Sequence, residues 1–192
     1  MSYNVAVDGP AGAGKSTIAK AVAKKLNLIY MDTGAMYRAM ALYMLRKQVS
    51  LQDEAEIIKK CAEVNITIRY EDGAQVVMLN GENVNAFLRT EEVGEAASVI
   101  SPILQVRETL TEIQKKLAAE NDCIMDGRDI GTCVLPDAQL KIYLTASSAV
   151  RAKRRYDELT AKGMECDLAV IKADIEERDY RDMHREISPL RQ

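Results

Sequence analysis

One stretch near the start of the chain restricts the possible folds more than any other feature. The eight residues Gly9–Ser16 fit the pattern G-x-x-x-x-G-K-[ST] without a gap. Residues 3–7 before it, with β-branched Val5 and Val7, predict a buried strand, and apolar residues recur at helical spacing after it. A strand, a glycine loop and a helix in this order aim backbone N–H groups and the positive end of a helix dipole at one point. The sequence therefore predicts a cradle for a polyphosphate.

The two polar side chains that end this motif are expected to contact phosphates and a metal ion. Lys15 would reach the β- and γ-phosphates, and the Ser16 hydroxyl would bind Mg²⁺. A carboxylate at a strand end beside the loop could hold the hydrated ion, and by position the candidates are Asp8 and Asp126. The alternative is a glycine-rich turn that merely precedes a helix. The correct strand and helix flanks argue against it.

Length and composition fit one α/β domain with a modest insertion. The chain has 192 residues, of which 47% are apolar and 29% charged, so it can bury a core and remain soluble. The net charge of −3 gives no global basic field, so we expect no nucleic-acid partner. No apolar run approaches a membrane span and no signal pattern begins the sequence, so we expect a cytoplasmic protein without a membrane partner.

The cysteines and the histidine exclude several kinds of site. The four cysteines are widely spaced and form no C-x-x-C pair, which argues against a zinc site or a disulfide framework. His184 is the only histidine, so histidine-based metal binding or a catalytic triad is nearly excluded.

Strand-like and helix-like segments alternate along most of the chain. Strands are predicted at 3–7, 28–31, 123–125 and 140–144, and helical spacing follows the glycine loop and recurs in 36–46, from 101 to 117, from 147 to 163 and in 167–178. This alternation predicts a parallel sheet with helices on both faces. Ligands bind beyond the carboxyl ends of such strands. The polar residues that end the predicted strands should therefore meet in one cleft.

Residues 62–95 depart from this alternation. Apolar residues recur at every second position from Ile66 to Tyr70, and Asp72-Gly73 is a strong hairpin signal. A second turn is predicted at Asn80-Gly81. We therefore predict a small antiparallel insertion at 62–95, in a core made of residues 1–61 and 96–192.

Arginines near the predicted strand ends and helix starts favour an acceptor that carries a phosphate. Phosphoryl transfer between two polyanions needs cations along the phosphate path, and the planar guanidinium group binds phosphate oxygens in pairs. The candidates are Arg38, Arg107, Arg128, Arg178, Arg181 and Arg185. Each could instead be a surface residue or an ion-pair partner. The basic run Arg151–Arg155 fits either a solvated helix face or a mobile lid at about 149–163.

Two other classes of function remain open on these residues. A switch protein that signals by its conformation would be supported by a guanine-reading N-K-x-D element, which the sequence lacks. A kinase for another small acceptor, such as shikimate or a different nucleoside monophosphate, would use the same donor loop. The arginine-rich acceptor side favours a phosphorylated acceptor over shikimate.

Six blocks of the sequence resemble the bacterial cytidylate kinase family. They are DGPAGAGKST, MDTGAMYR, the Val106-Arg107 pair, DGRDIGT, LPDAQLKIYLTAS followed by RAKRRY, and ERDYRDMHREISPL. They are collinear and span nearly the whole chain, and DTGAMYR with GRDIGT is far more specific than the glycine loop alone. The resemblance implies a P-loop kinase fold with an enlarged monophosphate-binding insert. It also implies transfer of the γ-phosphoryl group of ATP to CMP or dCMP, with Mg²⁺.

The resemblance further implies roles for individual residues. Those implied around the cytosine base are Thr33, Ser98, Arg107 and Asp129. Those implied for the monophosphate are Arg38, Arg128 and Arg185, and those for the ribose are Arg178 and Asp182. ATP would be wrapped by Gly9, Pro10, Ala11, Gly12, Ala13, Gly14, Lys15, Ser16 and Thr17, with Arg151, Arg154 and Arg155 in the lid. The groups implied in catalysis are Lys15, Arg128, Asp129 and Arg185. We expect the protein to act as a monomer.

The C-terminal end departs from the family's pattern. The family continues past S-P-L with a further short strand and a helix, whereas this sequence stops at Arg191-Gln192. We expect the sequence to be part of a longer protein. The alternative is loss of the fifth strand, which would leave an edge of the sheet less covered.

Overall fold

In the computed structural model, which describes residues 2–71 and 73–192, seven strands and seven α-helices follow one another along the chain. The strands are β1 (Asn4–Asp8), β2 (Ile29–Asp32), β3 (Ile66–Glu71), β4 (Ala74–Leu79), β5 (Glu82–Asn83), β6 (Cys123–Gly127) and β7 (Leu140–Tyr143). The helices are α1 (Lys15–Leu26), α2 (Thr33–Arg46), α3 (Glu54–Cys61), α4 (Glu91–Ile100), α5 (Leu104–Glu120), α6 (Ser148–Ala161) and α7 (Leu168–His184). A π-helical turn, Ile130–Val134, follows β6.

Four of these strands form a parallel sheet in the order β2-β6-β1-β7. Alternate residues of a strand face opposite sides of the sheet. Ala6 and Ala118 of α5 belong to the core cluster on one face, and Val7 and Ala19 of α1 belong to the cluster on the other. The predicted parallel sheet with helices on both faces is confirmed.

The glycine loop between β1 and α1 depends on backbone conformations that side chains disfavour. Gly9 has φ 147°, and a Cβ there would lie 1.9 Å from the carbonyl oxygen of Leu144. Gly14, directly before α1, is left-handed with φ 97°. Glycine is therefore needed at both positions, and α1 begins at Lys15.

The predicted antiparallel strands form a separate three-stranded sheet in the order β3-β4-β5. Glu71 pairs with Ala74 across the first hairpin, although Asp72 of the predicted Asp72-Gly73 turn lies outside the described residues. Asn80 and Gly81 both have positive φ, at 49° and 87°, which is the backbone of a type I′ hairpin turn. The division of the chain into a core and an insertion at 62–95 stays a prediction.

The largest core cluster packs α2 against the antiparallel sheet and against α3, α4 and α5. Met36, Met40 and Met44 of α2 are each at most 1% exposed and pack in it with Val77 and Leu79 of β4. These methionines lie in the segment 36–46, where the helical spacing predicted a helix, and all three face the core. The cluster attaches the second sheet to the helix that follows β2.

Several helix boundaries differ from the predictions. The sequence did not predict α3 or α4, and α4 is obscured by Gly94 and by its many small residues. The helix predicted from residue 101 begins only at Leu104, after a turn that contains Pro102. The last helix continues to His184, although it was predicted to end at Arg178. The prediction stopped early because the final turns of the helix are charged and have no apolar period. Among the described residues, no helix combines the length and the apolar character that a membrane crossing requires.

Candidate active site

The carboxyl ends of β2 and β6 and the glycine loop after β1 surround one cavity of about 320 Å³. From the predicted donor side it is lined by Ala11, Gly12, Lys15 and Ser16. From the predicted acceptor side it is lined by Thr33, Arg38, Ser98, Arg107, Arg128, Asp129, Arg178, Asp182 and Arg185. The structure thus brings all nine acceptor-side residues, which lie up to 152 positions apart in the chain, to the same cavity as the end of the glycine loop.

Positive charge dominates this cavity although the chain as a whole is acidic. Seven basic side chains line it against four acidic ones, whereas the full sequence has a net charge of −3. The acidic lining residues are Asp32, Asp126, Asp129 and Asp182. Concentrated cations between low-dielectric walls attract polyanions, so the cavity suits phosphorylated ligands.

Lys15 lies buried at the first position of α1. Its Nζ donates a hydrogen bond to the carbonyl oxygen of Pro10, 2.8 Å away, within its own loop. Burial, and after it the charge of Arg128, lowers the pKa of Lys15 to about 7. The ammonium group is therefore poorly compensated until an anion enters the loop.

Of the two carboxylates considered for the metal, Asp126 is the one beside Ser16. Ser16 Oγ donates to Asp126 Oδ2 at 2.8 Å, and the Tyr30 hydroxyl donates to Asp126 Oδ1 at 2.8 Å. Burial, and then the nearby charge of Asp32, raises the pKa of Asp126. Asp8 instead accepts hydrogen bonds from the backbone N–H groups of the π-helical turn, at 2.7 and 2.8 Å.

Asp129 lies between two arginines from distant parts of the chain and pairs with both. It forms an ion pair with Arg107 of α5, and its Oδ1 lies 3.5 Å from Nη2 of Arg185. All three side chains are at most 7% exposed. The Arg107 guanidinium also stacks over the ring of Tyr37, with 5.6 Å to its centroid. These contacts fix the orientation of the two guanidinium groups at the wall of the cavity.

A second acidic residue holds Arg128. Its Nε donates to Asp182 Oδ2 of α7 at 2.9 Å. Although burial raises the pKa of Asp182, the charges of Arg128, Arg178 and Arg185 hold it below its usual value. Thr33 donates to the backbone carbonyl of Asp126 at 2.7 Å, which places its side chain against the end of β6.

Two buried arginine nitrogens of the cavity have no hydrogen-bond partner within the described part of the chain. They are Nη1 of Arg38 and Nε of Arg178. Burial lowers the pKa of both guanidinium groups. A buried polar group without a partner costs free energy, so an anionic ligand with spare oxygens would relieve both sites.

One basic residue of the cavity, Arg89, was not predicted from the sequence. Arg89 lies in the turn before α4, and its Nη2 donates to Asp32 Oδ2 at 2.8 Å. It falls inside the segment interpreted as a purely antiparallel insertion. The sequence signal that could have identified it is Thr90, directly after it, which marks the start of a helix. The Thr90 hydroxyl accepts a hydrogen bond from the N–H of Val93 and caps α4.

The arginines of α6 differ in their surroundings. Arg151 is buried, donates to the carbonyl oxygen of Ala11 in the glycine loop at 3.0 Å, and forms an ion pair with Asp179 of α7. Arg154 lies beside the loop, 3.9 Å from the point that a Cβ on Gly14 would occupy. Arg155 pairs at 3.2 Å with Glu158 of its own helix. None of these three arginines lines the cavity.

Comparison with known proteins matches nearly the whole chain to one family. A family model described as cytidylate kinase matches residues 5–192. A cytidylate kinase of Lactobacillus gasseri is 51% identical over 187 residues, which cover 97% of this chain and 81% of that protein. One of Caldicellulosiruptor saccharolyticus is 50% identical over 98% of this chain and 83% of its own, and one of Lactiplantibacillus plantarum is 48% identical over 100% and 84%.

A solved structure of shikimate kinase from Bacteroides thetaiotaomicron is a more distant neighbour. It shares 13% identity with a TM-score of 0.47, over 93% of this chain and 78% of that chain. This likeness is too slight to bear on the acceptor. The family match and the near-full-length relatives confirm the resemblance seen in the six sequence blocks, so this kinase belongs to the cytidylate kinase family.

Proposed function

We propose that the protein transfers the γ-phosphoryl group of ATP directly to CMP or dCMP, giving ADP and CDP or dCDP. The observation that supports this most is the single cavity in which the glycine-loop residues Lys15 and Ser16 meet a cluster of arginines. Family membership supports phosphorylation of a nucleoside monophosphate. The choice of ATP, of dCMP as a second acceptor and of a direct transfer are parts of the proposal.

On the donor side, residues 9–17 would wrap the triphosphate. Backbone N–H groups of the glycine loop and the start of α1 bind phosphate oxygens, and Lys15 would exchange the Pro10 carbonyl for the β- and γ-phosphates. Arg154 would add a cation from α6. Arg155 would reach the triphosphate only if its side chain moved away from Glu158.

On the acceptor side, guanidinium groups that range from buried to exposed would hold the monophosphate. Arg38, Arg128 and Arg185 are proposed phosphate ligands, and we add Arg89 because it lines the same cavity. Arg178 and Asp182 would contact the ribose, and Thr33, Ser98, Arg107 and Asp129 the base. The attacking atom is a phosphate oxygen that is already ionised at neutral pH, so no general base is needed. Positioning and neutralisation of charge would then be the main contributions of the protein, with no covalent intermediate.

The residues beside α1 fit a magnesium ion that arrives with its nucleotide. The Ser16 hydroxyl and the Asp126 carboxylate, 2.8 Å apart, are the hard oxygen donors that Mg²⁺ prefers. The described residues contain no group of three or more His, Cys, Asp or Glu that could form a complete metal cage. Mg²⁺ is commonly held by one or two protein oxygens plus phosphates and waters, so this sparse set suits it. Bound there, the ion would neutralise charge on the β- and γ-phosphates.

The assembly and location of the protein are also parts of the proposal. Every proposed ligand of both nucleotides comes from one chain, which is sufficient for a monomer to act. We propose that the enzyme works as a monomer in the cytoplasm, and that the 62–95 segment serves the acceptor.

A substrate panel tests the proposed reaction. We expect ADP release, measured with a coupled assay, to be fast with CMP and dCMP and much slower with UMP, AMP and shikimate at equal concentration. High-performance liquid chromatography of the products should show as much CDP or dCDP as ADP. ADP release without an acceptor product, or a preference for shikimate, would exclude the proposed function.

Binding of ATP at pH 8 is expected to take up a proton. Lys15 with a pKa of about 7 is mostly neutral at pH 8, and a bound triphosphate would raise that pKa and protonate it. The uptake should approach ~0.9 proton per site, since about 90% of the groups start neutral one unit above the pKa. Calorimetric titration in two buffers with different ionisation enthalpies measures it.

The matched variant for this measurement is Lys15→Arg. A guanidinium group stays charged at pH 8, so binding should persist with almost no proton uptake. Equal uptake by wild type and Lys15→Arg would assign the proton to another group.

A further inference from the structure

A side chain from the antiparallel sheet closes the outer edge of β2 at its last residue. The backbone N–H of Asp32 donates to Oε1 of Gln75 at 2.7 Å, and Nε2 of Gln75 donates to the carbonyl oxygen of Asp32 at 3.2 Å. β2 is the outer strand of the parallel sheet and pairs with β6 on its other side. The carboxamide of Gln75 therefore satisfies the two backbone groups that a further strand would otherwise pair with.

Gln75 is itself held in place by its neighbours on the second sheet. Asn85 donates through Nδ2 to the backbone carbonyl of Gln75 at 3.0 Å, and its Oδ1 accepts from the N–H of Val77 at 2.9 Å. Beside this link lies a cavity of about 910 Å³ between α1, β2 and the antiparallel sheet, and Gln75 and Asp32 form part of its wall. At this point the two sheets are joined by hydrogen bonds instead of close packing.

Asp32 carries the contact from this edge into the active site. Its Oδ1 accepts from the N–H of Ala35 at 2.9 Å and caps α2, and its Oδ2 accepts from Nη2 of Arg89 at 2.8 Å. Nη1 of Arg38 lies 4.0 Å from the same Oδ2. The side chain of Arg89 is 64% exposed, whereas that of Asp32 is 11% exposed, so the buried carboxylate is what directs the otherwise free arginine.

We propose that Gln75 is a positioning residue for the acceptor phosphate. By fixing the backbone of Asp32, it fixes the carboxylate that aims Arg89, and with it Arg38, into the cavity. The inference rests on the proposed function, in which these two arginines bind the phosphate of the monophosphate. Gln75 lines the second cavity and does not line the active-site cavity, so its effect is transmitted through Asp32.

Replacement of Gln75 by methionine tests this role, because it keeps the length of the side chain and removes both hydrogen bonds. We expect KM for CMP to rise by about tenfold, which is roughly the effect of losing one charge-assisted hydrogen bond between Arg89 and the phosphate. The KM for ATP should be unchanged, and the melting temperature should fall by only a few degrees, as expected for about two lost hydrogen bonds. Thr67→Ala, at an exposed position of β3, is the matched control and should leave all three quantities unchanged. If Gln75→Met does not fold, Gln75→Glu replaces the donor by a charged carboxylate oxygen that repels the Asp32 carbonyl, and it should raise KM for CMP in the same direction.

A double variant separates positioning from a general structural effect. In an Arg89→Met background, Gln75→Met should raise KM for CMP by less than about twofold, because residues that act through one another are not additive. A full tenfold effect in that background, an equal rise of both KM values, or an unchanged KM for CMP would overturn the inference. In the last case, a wild-type enzyme that phosphorylates CMP keeps the proposed function intact. A wild type that does not phosphorylate CMP would overturn both.

Discussion

Replacing Lys15 by methionine is expected to lower kcat by at least about 100-fold, the typical cost of removing a group that stabilises transition-state charge. Lys15 is the only basic side chain that the glycine loop contributes to the cavity, and its ammonium group is buried 2.8 Å from the Pro10 carbonyl. KM for CMP should change little, because the variant leaves the acceptor-side arginines intact. Initial rates with varied ATP and CMP measure both effects.

The same variant should be more stable than the wild type at low pH. Lys15 has a pKa of about 7 in the folded protein against 10.5 as an ordinary lysine, so the unfolded chain binds more protons between these values. The cost of charging the buried amine is therefore fully present below pH 7 and disappears as the pH approaches 10.5. We expect the free energy of unfolding of Lys15→Met to exceed that of wild type by on the order of 3 kcal/mol at pH 6, and the difference to shrink as the pH rises toward 10.5.

Lys24→Met is the control, because Lys24 is an exposed residue of the same helix. It should change neither kcat nor the pH dependence of stability. A Lys15→Met enzyme with near-normal turnover would refute the proposed role, and a stability difference independent of pH would refute the electrostatic reason.

Replacing Asp129 by alanine is expected to lower the free energy of unfolding by about 3–5 kcal/mol, because it leaves Arg107 and Arg185 buried without their counter-charge. For a chain of this size the melting temperature should fall by roughly 10 °C. The KM for CMP should also rise, since the two guanidinium groups lose the contact that orients them. Denaturant unfolding with parallel kinetics measures both quantities.

Asp157→Ala removes a different kind of ion pair and serves as the comparison. Asp157 and its partner Lys153 are 57% and 61% exposed, so this variant should lose less than about 1 kcal/mol. CMP or a phosphate analogue should partly restore the melting temperature of Asp129→Ala by supplying negative charge to the two arginines. An unchanged melting temperature of Asp129→Ala would show that the pair contributes nothing to folding.

The donor side of the site could be predicted from local sequence, because a strand, a glycine loop and a helix are adjacent in the chain. The motif and its flanks placed Lys15 and Ser16 without further information. The acceptor side could not be predicted in this way. The contact between Arg107 and Asp129 joins α5 to the end of β6, and no local period encodes such a pair. Arg107 was one of several basic candidates, but its pairing with Asp129 was not predicted, and the role of both residues at the base entered only through the resemblance to a family.

The choice between Asp8 and Asp126 shows a second limit of sequence reasoning. In the parallel pairing of β1 with β6, Asp126 lies beside Val7, and Asp8 lies beside Gly127. Because neighbouring residues in register share a face, the two carboxylates point to opposite sides of the sheet. Asp126 shares the face that α1 and Ser16 occupy, and Asp8 faces the π-helical turn. Only the register of the strands decides this, and the sequence does not contain it.

The buried guanidinium group of Arg151 links the glycine loop to α7. It connects the carbonyl oxygen of Ala11, in the loop that would hold the donor, to Asp179, which neighbours Arg178 on the helix that would hold the acceptor sugar. A shift of that loop would therefore strain the ion pair between Arg151 and α7. Thermodynamic reciprocity then requires that, if one nucleotide changes the affinity for the other through this connection, the second changes the affinity for the first by the same factor.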